Sequence, residues 1–174
     1  AVFTASELGV EDETIRRRLQ SWYPSTNRGE LLKTERNWIH SDCYNANPDS
    51  MRDSLQAFVG SFREEMPKLF VLGSMYELGP DAESYHREIA ARLKLTKADR
   101  VICVGDYAEE YVAGLRYRQV DPEQYETFAN AEDATALVRD FEGAVFLKGS
   151  RLNRLETLIP AEAGKVVVDS GKIC

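Results

Sequence analysis

An α/β fold, Rossmann-like, with a mostly parallel sheet and helices on both faces, is predicted by three observations. From Gly29 onward short apolar runs alternate with stripes at helical spacing, the order expected of strand–helix–strand units. After Lys68, the run to Gly73 is apolar throughout, as a strand covered on both faces must be. Polar loops at 42–47, 73–79 and 148–151 each follow an apolar run, at the carboxyl ends of strands where ligands sit in such sheets.

The elements follow in order. Ile15, Leu19 and Trp22 recur at intervals of four and three and predict a helix with one apolar stripe, Arg16, Arg17 and Arg18 occupying the rest of its circumference. Such a stripe needs a neighbour to cover it. Residues 23–29, Tyr-Pro-Ser-Thr-Asn-Arg-Gly, break that helix. Leu31-Leu32 and Trp38-Ile39 are candidate strands. Met51, Leu55, Phe58, Val59 and Phe62 share one helical face, the clearest in the chain. Residues 68–73 form a strand, Tyr85, Ile89 and Leu93 a helical face, residues 100–104 a strand ended by Gly105-Asp106, and residues 107–115 a helix. Asn130 is placed to cap a helix with Glu132 and Asp133 at its positive end and Ala134, Leu137, Val138 and Phe141 facing one way. Strand 144–147, a short helix from Leu152 and a last strand over 165–169 complete the series.

Composition narrows the function classes. The 174 residues, 43% hydrophobic and 29% charged, suit one globular domain or one domain with an appendage. A formal net charge of -7 speaks against a nucleic-acid partner, which needs a basic face. No apolar run is long enough to span a membrane and no signal-peptide pattern opens the chain, so a cytoplasmic location is expected. Cys43, Cys103 and Cys174 form no short-spaced pair, and His40 and His86 are isolated, so neither a disulfide framework nor a metal site is indicated.

The stretch 42–51, DCYNANPDSM, resembles the DSYNANPDSM segment of the Mur ligases, in particular the branch that adds D-alanyl-D-alanine to the peptidoglycan precursor. LGSMYELG at 72–79 is similar to that family's LGDMLELG, and His86-Arg87-Glu88 to its HRE. FLKGSR at 146–151 resembles VLVKGSR, with Leu155-Glu156 where the family often has Met-Glu. The resemblance implies an ATP-dependent amide-bond ligase acting on UDP-N-acetylmuramoyl tripeptide and D-alanyl-D-alanine. The break near Arg28 corresponds to the end of the family's central ATP-hydrolysing domain. Residues 1–28 are therefore expected to be the tail of that domain and 29–174 the carboxy-terminal domain, with the amino-terminal and central domains as its own missing partners.

Taken as residues alone, Asp42 can accept bonds from vicinal hydroxyls, Arg28 offers a fork for phosphate or carboxylate, Tyr44 can stack on a flat ring, and Asn45 and Asn47 can read a base edge or a peptide. Each can equally serve a local turn or ion pair. The resemblance assigns Arg28, Asp42, Tyr44, Asn45 and Asn47 to the nucleotide. It assigns Lys148, Ser150, Arg151 and Ser74 to the substrate side, and Glu77, His86 and Glu156 chiefly to the architecture of the cleft. Ser41, Cys43 and Ser74 depart from the family's Asp, Ser and Asp. Neither Gly164-Lys165 nor Gly171-Lys172 belongs to a GxxxxGK[ST] loop, so no catalytic residue is expected in this chain, and the ligands of Mg2+ are expected in the central domain. Another ligase of the superfamily, including the one that lengthens folate polyglutamate tails, and a non-catalytic nucleotide- or partner-binding module are the alternative readings.

Overall fold

The computed structural model describes residues 2–166. Its strands are β1 (Glu30–Lys33), β2 (Asn37–Ser41), β3 (Lys68–Gly73), β4 (Arg100–Val104), β5 (Tyr125–Phe128), β6 (Gly143–Lys148) and β7 (Gly164–Lys165). Its helices are α1 (Val2–Glu7), α2 (Asp12–Gln20), α3 (Pro48–Ser61), α4 (Ala82–Ala91), α5 (Ala108–Tyr117) and α6 (Thr135–Asp140). The strands form one sheet in the order β5-β4-β3-β6-β2-β1-β7. The five strands β5, β4, β3, β6 and β2 are parallel, as the alternating pattern predicts. β1 instead runs antiparallel to β2, and β7 antiparallel to β1. The β1–β2 hairpin closes on Thr34, whose hydroxyl accepts the Asn37 N–H (3.0 Å) and donates to the Asn37 side-chain carbonyl (2.9 Å).

Period-two alternation splits the core into two layers. Phe70, Leu72, Val101, Cys103 and Phe146 face α3, α4 and α5; Leu69, Val71, Ile102, Val104, Val145 and Leu147 face α6 and the short turns at 155–158. Phe58 of α3 anchors the first layer, its ring centroid 5.2 Å from those of Phe62 and Phe146 and 5.6 Å from that of Phe70. Burying one such ring contributes roughly 1.5–3 kcal/mol. α4 and α5 lie close because Gly114 has no side chain: a Cβ there would stand 2.2 Å from the Arg87 carbonyl oxygen.

Several expectations need correction. β5, with its half-exposed pattern, is a strand that apolar periodicity does not reveal. Asn130 makes no side-chain cap; a 3-10 turn at Ala131–Ala134 leads instead into a short α6. The segment from Leu152 forms two 3-10 turns, Arg151–Asn153 and Leu155–Leu158, separated by Arg154 in the left-handed region at φ 51°. Trp22 lies beyond the end of α2 and is 65% exposed; no residue of α1 or α2 is buried. Of the last expected strand, 165–169, Lys165 lies in β7 and Val166 does not, and 167–169 lie outside the described residues.

Chain order reverses at β6. From β2 the chain steps through β3 and β4 to the β5 edge, then returns by α6 to insert β6 between β2 and β3. The loops leaving β2, β6, β3 and β4 therefore stand side by side at one edge, around a topological switch point where sheets of this type bind ligands.

Candidate functional site

The first loop is held in place from behind. The Asp42 N–H continues the sheet ladder to the Leu147 carbonyl (2.9 Å), and the Tyr44 N–H donates to the Asn27 carbonyl (3.0 Å). Asn27, at φ 61°, also accepts the Ser41 hydroxyl on its side-chain carbonyl (3.0 Å), while its own N–H reaches the buried Glu30 carboxylate (3.3 Å). These bonds bring the segment before β1 against the loop after β2 and so place Arg28 on Tyr44, the guanidinium carbon 3.8 Å from the ring centroid. Arg151, from the loop after β6, approaches the same ring at 5.3 Å. Both arginines are exposed, and among the described residues neither has a carboxylate partner. Two uncompensated guanidiniums beside one aromatic ring form a cationic corner suited to oxyanions.

Asp42 stands two residues before Tyr44 in the same loop. Lys148, 2% exposed, donates to Asp42 Oδ2 at 2.6 Å and to the Asn45 carbonyl at 3.2 Å. The Lys148 ammonium thus ties the strand β6 to the first loop. Asp42 keeps its Oδ1 without a hydrogen bond among the described residues and is open enough, at 22%, to accept from a ligand. Asn45 caps its own loop through the Ala46 N–H (2.9 Å), leaving its amide NH2 at the exposed surface. Asn47 is the N-cap of α3: its side chain accepts the Ser50 N–H (2.8 Å), and the Ser50 hydroxyl accepts the Asn47 N–H (3.1 Å) in a reciprocal capping box. Its acceptor is committed to the helix, and its amide NH2 stands at the exposed surface like that of Asn45.

The second and third loops touch through glycines. A Cβ on Gly149 would stand 2.6 Å from the Gly73 Cα, and one on Gly105 2.5 Å from Asn153 Oδ1. Into this gap projects Asn153, 7% exposed, a residue the sequence reading overlooked. Its amide donates to the carbonyls of Ser74 (2.7 Å) and Ser150 (2.8 Å), and its carbonyl accepts the Ser74 N–H (3.1 Å). Ser74 is fully buried, its hydroxyl donating to the Val104 carbonyl (3.1 Å) and accepting the Tyr107 N–H (2.9 Å). Ser150 likewise turns inward, accepting the Tyr76 N–H at 3.0 Å instead of capping the turn that follows it. On the outer side of this junction Tyr76 donates to Asp106 (3.2 Å) and lies beside Tyr107, a polar patch that no motif announced.

His86 braces the second loop from beneath. A backbone N–H only donates, so the Met75 N–H (2.8 Å) fixes Nε2 as the acceptor and leaves Nδ1–H to donate to the Ala82 carbonyl (2.6 Å). The ring stacks on Tyr107 at 4.5 Å. Burial pushes its pKa below the ordinary 6.5, although the Ala82 bond acts in the other direction. His40, against Phe58 and Phe146, is lowered chiefly by burial too, with Asp42 opposing and Lys148 assisting. Ser41 and Cys43, which depart from the motif, contact each other at 3.4 Å inside the fold, and burial pushes the Cys43 thiol up to about 11, too high for a thiolate nucleophile at neutral pH. Glu77 is exposed at φ 63°, and Glu156 is half-buried with one carboxylate oxygen unpartnered.

Residues 27–151 match the protein family described as "Mur ligase, glutamate ligase domain". A UDP-N-acetylmuramoyl-tripeptide--D-alanyl-D-alanine ligase of Bacillus subtilis is 27% identical over 163 residues, covering 91% of this chain and 35% of that protein. A ligase of the same name from Treponema pallidum is 29% identical over 167 residues, covering 91% and 35%. Among solved structures, MurF from Acinetobacter baumannii superposes with a TM-score of 0.71 at 27% identity, covering 88% of this chain and 34% of that one. MurF ligase from Thermotoga maritima in complex with ADP shares the fold, with a TM-score of 0.61 at 22% identity over 83% of this chain and 34% of that one. The chain thus spans about a third of the length of the curated relatives it matches.

Two outcomes follow from this geometry. Lys148→Met, which leaves the partly buried Asp42 without its cation, is expected to lower unfolding free energy by roughly 2–4 kcal/mol, whereas Arg151→Ala, on the surface, changes it by less than about 0.5 kcal/mol. Urea denaturation of both variants checks the contrast. Both imidazoles are held below their ordinary value, so the unfolded chain takes up protons first: stability is fully present above pH 6.5 and declines as pH falls through the folded values. Denaturation midpoints between about pH 8 and 5, above the carboxylate range, should fall on the acid side, and His86→Gln should flatten part of that slope.

Proposed function

The chain belongs to the Mur ligase family through its glutamate ligase domain, and from that premise we propose that it is the nucleotide-closing domain of a cytoplasmic ATP-dependent ligase that joins D-alanyl-D-alanine to UDP-N-acetylmuramoyl tripeptide. The observation that carries the proposal is the corner formed by Arg28, Tyr44 and Arg151, in the loops that also carry Asp42, at the switch point of the sheet. In this reading Arg28 neutralises phosphate oxygens, the free Asp42 oxygen accepts ribose hydroxyls, and Tyr44 with the Asn45 amide contacts the base or sugar. Arg151, on the β6 side, holds the carboxylate of the incoming dipeptide or the developing acyl phosphate.

The names of the Bacillus and Treponema relatives supply the substrates of the proposal, and the ADP complex of the Thermotoga relative supports the nucleotide. The family match begins at residue 27, which supports a boundary near Arg28, with 1–28 as the end of an ATP-hydrolysing domain and 29–174 as the closing domain. Catalysis would then be positioning and charge neutralisation: transfer of the ATP γ-phosphoryl group to the tripeptide carboxylate, and attack on the acyl phosphate by the dipeptide amine with release of phosphate. This chain contributes cations and orientation to those steps. In this reading the ligands of Mg2+ belong mostly to the central domain.

The test is ATP-dependent phosphate release, measured on this chain alone and on this chain joined to the remaining two thirds of the Bacillus subtilis relative. Turnover is expected only in the joined protein and only with both the UDP-linked tripeptide and D-alanyl-D-alanine present. Arg28→Ala in that protein is expected to cost about 10²–10³ in rate. Release by the joined protein that ignores the dipeptide, or turnover by the chain alone, would contradict the proposal.

A further inference from the structure

The polar patch at the carboxyl ends of β3 and β4 takes no part in the nucleotide corner. There the Tyr76 hydroxyl donates to Asp106 Oδ2 at 3.2 Å, and the half-buried rings of Tyr76 and Tyr107 lie with their centroids 6.3 Å apart. Asp106 is exposed. Among the described residues no cation pairs with its carboxylate, and Oδ1 accepts no hydrogen bond. Nearby Glu110, by contrast, is already paired with Arg87.

The patch stands on a fixed base. The Ser150 hydroxyl accepts the Tyr76 N–H (3.0 Å), the Ser74 hydroxyl accepts the Tyr107 N–H (2.9 Å), and the carbonyls of both buried serines accept the Asn153 amide. Between β4 and Asp106 the chain turns at Gly105, φ 95°, whose N–H is held by the Phe128 carbonyl (3.0 Å). The Tyr107 ring rests on buried His86 at 4.5 Å. What these groups offer outward is an unpaired carboxylate, a phenol oxygen able to accept, and two aromatic rings. A primary ammonium uses all of them, through an ion pair, hydrogen bonds and the ring quadrupoles. A carboxylate or phosphate is repelled by Asp106 and finds its cations across the β3–β6 junction, on the side of Arg28 and Arg151. The edge of the sheet is thus divided into an anion side and an ammonium side.

We propose that Tyr76, Asp106 and Tyr107 form a subsite for a primary ammonium group. Resting on the ligase reading, its occupant is the amino end of the incoming dipeptide, which docks beside the nucleotide without competing for its corner.

The test is titration of the ¹⁵N-labelled whole chain with D-alanyl-D-alanine and, in parallel, with ADP, followed by amide NMR. The dipeptide is expected to give saturable shifts at Tyr76, Asp106 and Tyr107, with a dissociation constant on the order of 1–10 mM. N-acetyl-D-alanyl-D-alanine, which keeps the carboxylate and lacks the ammonium, is expected to bind there at least about tenfold more weakly. Asp106→Asn keeps an acceptor for Tyr76 and removes only the charge; it is expected to weaken the dipeptide about threefold to fivefold, the worth of one exposed ion pair. Glu109→Gln, at an exposed acid three residues on, is expected to leave affinity unchanged. Equal binding of the acetylated dipeptide, an equal loss in Glu109→Gln, or no saturable shift at the three amides would overturn the subsite. Where ADP shifts the Arg28–Tyr44 corner but the dipeptide leaves the three amides unmoved, the subsite falls and the ligase reading stands. Saturable dipeptide shifts without any effect of ADP support the subsite and count against the nucleotide corner.

Discussion

The contact on which the arrangement depends is the approach of β3 and β6 at their carboxyl ends, where Gly149 would set a Cβ 2.6 Å from the Gly73 Cα. No other residue type permits that spacing, and it leaves a slot one side chain wide. Asn153 fills the slot and satisfies backbone groups of both loops, which would otherwise be buried donors and acceptors without partners. An unsatisfied group of that kind costs about 1–3 kcal/mol. One carboxamide therefore fixes two loops, and Ser74 extends the bracing to the loop after β4.

Polar residues in these loops divide by direction. Lys148, Ser74, Ser150, Asn153 and His86 point inward and complete their hydrogen bonds within the chain. Arg28, Tyr44 and Arg151 point outward, together with the open oxygen of Asp42 and the amide of Asn45. The inward set fixes the loop backbone that carries the outward set, which lowers the ordering cost of binding. The departures at Ser41, Cys43 and Ser74 all fall in the inward set, so they alter the bracing and leave the cationic corner as it stands.

The parallel centre of the sheet was legible because buried parallel strands are continuous apolar runs, and residues 68–73 are one. The clearest helix, α3, announced itself through Met51, Leu55 and Phe58 at one face. The antiparallel edge was not legible: the run Leu31-Leu32 is too short to reveal its direction, which the Thr34–Asn37 turn sets. β5 escaped because an edge strand with exposed side chains has no apolar signature. Motif spelling located the site but not the task of each residue. Lys148 and Arg151 stand three apart in one turn, and whether a cation faces Asp42 or solvent is decided by the tertiary packing of β6 against β2. Asn153 carried no periodic or motif signal at all.

The central claim is that the outward residues, held by the inward ones, form a ready-made nucleotide corner. Amide NMR spectra of the ¹⁵N-labelled chain titrated with ADP test it most directly. The account predicts saturable shifts at Arg28, Asp42, Tyr44, Asn45 and Arg151, with α6 undisturbed. Shifts confined to another surface, or none up to millimolar ADP, would contradict it.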